Sequence, residues 1–250
     1  MLNIFFDFFD FGILLFLLGF MMAAYVAAGS YRLGAAVVRH AVLEVGLVGV
    51  MIGTVSLLGN MADPDGIPPA TFVLLLFAVY SLIIFGITSI IGSEENQTSS
   101  PSKARPLIGC SIFLVSVGFA IADTGFNAYL DPLSIILVMS GAGLVAGLRK
   151  ITNQVDGIGN VVSCLPFLGL FYLFLFSISL LTVLDDPRSI GPMLAAAYLS
   201  FGYALFSSVI IKLSKPSIVN EIKPIDWSFV GWSLVILLGT FGGLLASFAD

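Results

Sequence analysis

Charged residues are scarce in this chain. Its 250 residues include only 10 lysines and arginines and 15 aspartates and glutamates, which is 10% of the sequence against roughly 25% in a soluble domain. A polar surface that faces water on all sides cannot be built from so few charges, so the sequence excludes an ordinary soluble domain. The lack of a basic patch also argues against a nucleic-acid partner.

Patterns of enzyme chemistry are missing as well. The chain has a single histidine and two cysteines, and both cysteines lie inside apolar runs, where thiols pack as small hydrophobic groups. There is no phosphate-cradling glycine loop followed by lysine, no His–Cys–carboxylate cluster, and no nucleophile beside a base. We therefore expect no enzyme activity, no metal site and no cofactor.

Long apolar runs are abundant. Hydrophobic residues make up 58% of the chain, the mean hydropathy is +1.09, and runs of about 20 residues are long enough to cross a bilayer as helices. The runs are too long and too uniformly apolar for barrel strands. We predict an all-α integral membrane protein with eight transmembrane helices. They are Phe11–Ala28, Ala41–Met61, Ala70–Gly92, Leu107–Ala122, Leu133–Leu148, Val161–Leu184, Pro192–Ile211 and Trp227–Ala249.

Basic residues fall mainly on one side of the predicted spans. Nine of the ten lysines and arginines follow the first, third, fifth or seventh span, and only Arg188 lies on the other side. By the positive-inside rule these segments are cytoplasmic. We therefore expect a multi-pass protein of the bacterial inner membrane with both termini in the periplasm.

An acidic, proline-bearing hairpin occurs twice, at an offset of 123 residues. The matched positions are Asp63 with Asp186, Pro64 with Pro187, Pro69 with Pro192, and Tyr80 with Tyr203. The flanking apolar runs match at the same offset, which indicates an internal duplication. The hairpin aspartates are expected to cap helices and shape the turns, with an external cation funnel as the alternative.

The duplication divides the chain into two parallel four-helix repeats. Residues 1–92 form the first repeat with three spans, residues 93–106 a polar cytoplasmic linker, and residues 107–215 the second repeat with four spans. The span in residues 216–250 either completes the first repeat by circular permutation or is a lone added helix.

The second copy resembles a known family. From Leu107 through the stretch GFNAYLDPLSIILVMSGAGLVAGL, it is similar to the first helical pair of the A subunit of bacterial flagellar stators (MotA and PomA), which are related to TolQ and ExbB. Both hairpins resemble the external loop between helices three and four of that family, and Pro166 matches a proline at the cytoplasmic end of helix three. The resemblance covers the membrane spans of both copies.

The resemblance implies an oligomer or hetero-complex around a single-span partner similar to stator B, TolR or ExbD. It also implies the use of an H⁺ or Na⁺ motive force. The chain departs from the family in two ways: it has no room for the large cytoplasmic domain, and Val50 and Leu173 replace a threonine on the ion route. Two alternatives therefore stay open, a non-conducting structural paralogue in a membrane motor complex and a secondary transporter with a site between the repeats.

Polar side chains within spans are the candidate ion-pathway residues, because such groups are costly in a membrane. They are Thr54, Ser56, Ser177, Ser179, Ser200 and Glu44. Each hydroxyl can serve an ion or bond its own backbone four residues back. Glu44 is placed one turn inside the cytoplasmic end, beside Arg39 and His40, where it either accepts a proton or forms an interfacial pair that reaches the headgroups.

Two further expectations concern the spans themselves. No predicted span has an acidic residue near its middle, which agrees with a subunit whose partner supplies the ion-binding carboxylate. Pro166 either serves as a helix hinge or starts its span, since proline is tolerated in a first turn.

Overall fold

The computed structural model describes residues 10–59, 67–91, 104–122, 124–151, 157–180 and 187–222, together with 229, 231, 233, 235 and 239. Over these residues the protein is all-helical, and seven helices are long and apolar enough to cross a membrane. They are α1 (Phe11–Ala28), α2 (Tyr31–Gly59), α3 (Ile67–Ile91), α4 (Ala104–Ile121), α5 (Pro132–Ile151), α6 (Gly157–Leu180) and α7 (Pro187–Ser214). The prediction of an all-α fold is confirmed for the described residues, and the seven candidate spans support the membrane assignment.

Two short 3₁₀ helices flank the second half of the bundle. One, Phe126–Tyr129, precedes α5, and the other, Pro216–Asn220, follows α7. The eighth predicted span, Trp227–Ala249, lies mostly outside the described residues, and those described in it are helical.

The connection between α1 and α2 is much tighter than predicted. Gly29 ends α1 in the left-handed region at φ 68°, and its N–H donates to the Tyr25 carbonyl. Ser30 then caps the next helix, accepting a hydrogen bond from the Leu33 N–H at 3.3 Å. The second span therefore begins at Tyr31 and not at Ala41, and the predicted gap at residues 29–40 is wrong.

Helix α2 lies at the centre of the described bundle. It is the most buried of the seven described spans, and it packs against α1, α3, α7 and both 3₁₀ helices. The polar side chains Glu44 and Thr54 on α2 are therefore enclosed by protein.

Two helix pairs, α2 with α3 and α6 with α7, pack along most of their length. A Cβ at Gly46 would overlap the Ser81 side chain, and a Cβ at Gly169 would lie 2.7 Å from the Ala204 Cβ. Glycine is required at both places because the neighbouring helix leaves no room for a side chain. The two contacts are related by the same 123-residue offset as the hairpins.

Three prolines assigned to the hairpins lie in helices. Pro69 and Pro187 belong to the first turns of α3 and α7, where the missing N–H costs no helical hydrogen bond, and Pro192 lies further inside α7. Asp63, Pro64 and Asp186 lie outside the described residues. Pro166 lies well inside α6, which begins at Gly157, so it does not start its span.

Candidate functional site

A buried ion pair joins α2 to α7. The ammonium group of Lys212 donates to a carboxylate oxygen of Glu44, and the two side chains are only 3% and 1% exposed. Lys212 Nζ also donates to the His40 carbonyl at 3.0 Å. Removing two charges from water costs several kcal/mol per ion, and their attraction offsets this only when geometry and hydrogen bonding are good. Such a pair is therefore a primary candidate for function in a membrane protein.

The helix that carries Glu44 is longer than predicted. Because α2 begins at Tyr31 and ends at Gly59, Glu44 is the fourteenth of its 29 residues. Its partner Lys212 lies in the last turn of α7, so the ion pair lies at the end of α7 that the sequence predicts to be cytoplasmic.

Several buried polar atoms around this pair have no hydrogen-bond partner. They are the second carboxylate oxygen of Glu44, Oγ of Ser208, Nδ1 of His40 and Nε of Arg39. Ser208 is fully buried, and its hydroxyl lies beside the Glu44 carboxylate. Buried polar groups in native proteins are almost always paired with protein or ordered water, so this concentration of polar atoms in the bundle interior is unusual. Glu44, Lys212, Ser208, His40 and Arg39 together are called the inner cluster below.

A second polar network lies at the start of α5. The Tyr203 hydroxyl donates to the Tyr129 carbonyl and accepts from the Asp131 N–H at 3.1 Å. The Tyr129 hydroxyl donates to the Ile52 carbonyl of α2 at 3.1 Å. These bonds tie the first 3₁₀ helix to both α7 and α2.

The same network extends into the bundle through two serines. Asp131 caps α5, accepting from the Ser134 N–H at 3.3 Å and from the Ser134 hydroxyl. The Ser200 hydroxyl, on α7, can donate to Ser134 Oγ at 2.8 Å or to the Ala196 carbonyl at 2.9 Å. Both serines are fully buried. Tyr129, Asp131, Ser134, Ser200 and Tyr203 together are called the outer network.

An apolar gap separates the inner cluster from the outer network. On α2 the two contact points are Glu44 and Ile52, and on α7 they are Ser208 and Ser200. Each pair is eight residues apart, or about 12 Å along a helix. Buried apolar side chains fill the intervening turns: Leu47, Val48 and Met51 on α2 and Leu205 on α7.

The other predicted pathway hydroxyls mostly serve their own helices. Thr54 donates to the Val50 carbonyl at 2.8 Å, Ser177 to Leu173 at 2.7 Å, and Ser179 to Leu175 at 3.0 Å. Ser56 borders an apolar cavity of about 1160 Å³ between α1, α2, α3 and α4. Of the predicted set, only Glu44 and Ser200 lie in the two polar groups just described.

Two central residues were missed from the sequence. The sequence prediction uses Lys212 only for orientation and does not include Ser208. Ser208 and Lys212 are four residues apart on α7 and Ser200 is eight residues before Ser208, so the three side chains lie on one helix face. This polar stripe within an apolar span was the available signal. Among the described residues no group of three or more His, Cys, Asp or Glu could hold a metal ion.

Comparison with known proteins returned no relative: no family model matches the chain, no curated protein is similar to it, and no solved structure matches its fold.

Proposed function

We propose that this chain transduces an ion-motive force across the bacterial inner membrane, as a stator-A-like subunit that works with a single-span B-type partner. The observation that carries the proposal is the inner cluster. An enclosed carboxylate that is held by one ammonium group and surrounded by buried polar groups has the chemistry to bind and release an ion.

The proposal includes an architecture of two parallel repeats with both termini in the periplasm. The matched contacts Gly46–Ser81 and Gly169–Ala204 support a duplication of the α2–α3 pair as α6–α7. In this scheme residues 1–92 and 107–215 are the two copies, residues 93–106 the cytoplasmic linker, and residues 216–250 supply an eighth span that completes the first copy. The helical positions at residues 229, 231, 233, 235 and 239 are compatible with that span.

The inner cluster then lies between the two copies. Glu44, on α2, belongs to the first copy, and Lys212, on α7, belongs to the second. A change of charge at this junction would alter the packing of the two copies against each other. A force-transducing subunit needs this type of coupling between ion binding and conformation.

The test is ion flux in lipid vesicles that contain the full chain, alone and with any single-span protein that co-purifies with it. Under an imposed membrane potential we expect ion uptake that depends on the partner and is abolished in Glu44→Gln. Ser177→Ala is the matched control, because its hydroxyl bonds only its own helix in the described structure. Uptake that persists in Glu44→Gln would contradict the proposal, and uptake that requires an added solute would indicate a secondary transporter.

A non-conducting structural paralogue is the second candidate. It is favoured by Thr54, Ser177 and Ser179, whose hydroxyls are occupied by backbone carbonyls. A complex that forms with the partner but carries no ion under any imposed potential would establish this alternative.

A further inference from the structure

The inner cluster also bears on which ion the protein uses. Lys212 Nζ lies between a Glu44 carboxylate oxygen and the His40 carbonyl oxygen. Two oxygens that could coordinate a metal cation are therefore already bonded to an ammonium group. The ammonium group takes the place that a metal ion would need.

The remaining oxygens are too few for sodium. A metal cation that leaves water needs several oxygen ligands to replace its hydration shell. In the described part of the chain, the side-chain oxygens of this cluster that are not bonded to Lys212 are Glu44 Oε2 and Ser208 Oγ, and Ser208 lies beside the Glu44 carboxylate. The other unpaired atoms, His40 Nδ1 and Arg39 Nε, are nitrogens. A proton needs only one lone pair, and both Glu44 Oε2 and a neutral His40 ring offer one.

The surrounding charges also disfavour a metal cation. The charged groups that act on this part of α2 are Lys212 from α7 and Arg39 from α2 itself. Helices α1 and α3 contain no Asp, Glu, Lys, Arg or His. The second 3₁₀ helix contributes no charge of its own and is flanked by Lys215 and Glu221. With the Glu44 carboxylate these two positive charges leave a net positive charge at the cluster, which disfavours any added cation. A proton forms a covalent O–H bond with Glu44 that offsets this repulsion, whereas Na⁺ has only the few free oxygens to do so.

We propose that the inner cluster is a proton site and that the ion transduced is H⁺, not Na⁺. A proton from water adds to Glu44 Oε2 and converts the carboxylate into a neutral carboxyl group, which breaks the ion pair and leaves Lys212 bonded to the His40 carbonyl. Loss of the same proton restores the pair. Glu44 is the proton acceptor and Lys212 its internal counter-ion. This inference rests on the proposed function for its role in transduction, although the binding chemistry can be measured separately.

The binding test is infrared difference spectroscopy of the full chain in lipid vesicles during a pH titration. We expect a carboxyl band that appears on acidification, is absent in Glu44→Gln, and returns at a shifted frequency in Glu44→Asp. Its midpoint should be the same in sodium chloride and in choline chloride of equal ionic strength. Ser177→Ala should retain the wild-type band. A midpoint that moves to lower pH as Na⁺ increases, or a band that persists in Glu44→Gln, would overturn the proton site.

The flux test separates this inference from the proposed function. In vesicles with the partner, an internal pH dye should report uptake that is equal in sodium and choline media and falls by about 100-fold or more in Glu44→Gln, as expected when a proton-transfer group is lost. Uptake of labelled Na⁺ would overturn the choice of ion and leave ion transduction intact. A titrating Glu44 without any flux would overturn ion transduction and leave the proton site intact.

Discussion

Glu44 and Lys212 are 168 residues apart in sequence and form an ion pair in the interior of the bundle. The pair joins the middle of α2 to the last turn of α7, so it links the two helix pairs α2–α3 and α6–α7. An apolar contact between the same helices lies at Met51 and Gly202, where a Cβ on the glycine would lie 3.5 Å from the methionine. The ion pair, with Ser208 beside it, is a polar link between α2 and α7.

Removing one partner of this pair should destabilise the protein more than removing both. Glu44→Gln or Lys212→Met leaves a buried charge without its counter-ion, which typically costs about 3–5 kcal/mol. The double variant leaves no uncompensated charge from the pair, so we expect its free energy of unfolding to exceed that of either single variant. Reversible unfolding in detergent would measure the three values as a double-mutant cycle.

The exposed Lys215 provides the control for this cycle. Lys215→Met removes a lysine three residues along the chain, and its effect should stay within about 0.5 kcal/mol. Additive losses in the double variant would show that Glu44 and Lys212 do not interact.

Tyr203→Phe should destabilise the connection that precedes α5. The change removes one hydroxyl that donates to the Tyr129 carbonyl and accepts from the Asp131 N–H, so two backbone groups lose their partner. We expect a loss of about 1–3 kcal/mol and faster amide hydrogen exchange at residues 126–131 than in the rest of the bundle. Tyr31→Phe is the control, since Tyr31 is 64% exposed. Unchanged hydrogen exchange in Tyr203→Phe would show that the hydroxyl does not stabilise this connection.

The two close approaches between helices should respond alike to an added methyl group. Gly46→Ala overlaps the Ser81 side chain, and Gly169→Ala contacts Ala204, so each should destabilise its helix pair by about 1–3 kcal/mol. Gly86→Ala, whose Cβ would meet nothing within 4 Å, should be neutral or slightly stabilising. Thermal unfolding in detergent would rank the variants.

A second substitution tests the cause of the Gly46 effect. Ser81→Gly removes the side chain that the new methyl group meets, so the pair Gly46→Ala with Ser81→Gly should recover much of the lost stability. Failure to recover would place the cost elsewhere than in this contact.

The helices could be predicted from the sequence because length and hydropathy alone determine which runs can cross a bilayer. The start of α2 could not, since Arg32, Arg39 and His40 lower the local hydropathy although the backbone continues as helix from the Ser30 cap. The helix therefore begins ten residues earlier than the sequence predicts and carries Glu44 as its fourteenth residue.

The side chains that contact Glu44 and Ser200 could not be predicted from the sequence, for a different reason. Glu44 and Ser200 could be selected because polar groups in apolar runs are rare. Which hydroxyls face a neighbouring helix depends on tertiary packing, and Thr54 and Ser177 differ from Ser200 only in what lies opposite them.

Substitution of individual hydroxyl groups tests which of them lie on the ion pathway. Thr54→Val, Ser177→Ala and Ser179→Ala each remove a hydroxyl that bonds its own helix, so ion flux with the partner should stay within about twofold of wild type, the kinetic equivalent of the roughly 0.5 kcal/mol scatter of neutral substitutions. Ser208→Ala removes the buried hydroxyl that lies beside the Glu44 carboxylate. We expect it to lower flux by about tenfold, since a lost buried polar contact costs about 1–3 kcal/mol. Equal flux in all four variants would mean that the Ser208 hydroxyl takes no part in ion transfer, and a large loss in Ser177→Ala would move the route from the α2–α7 interface to α6.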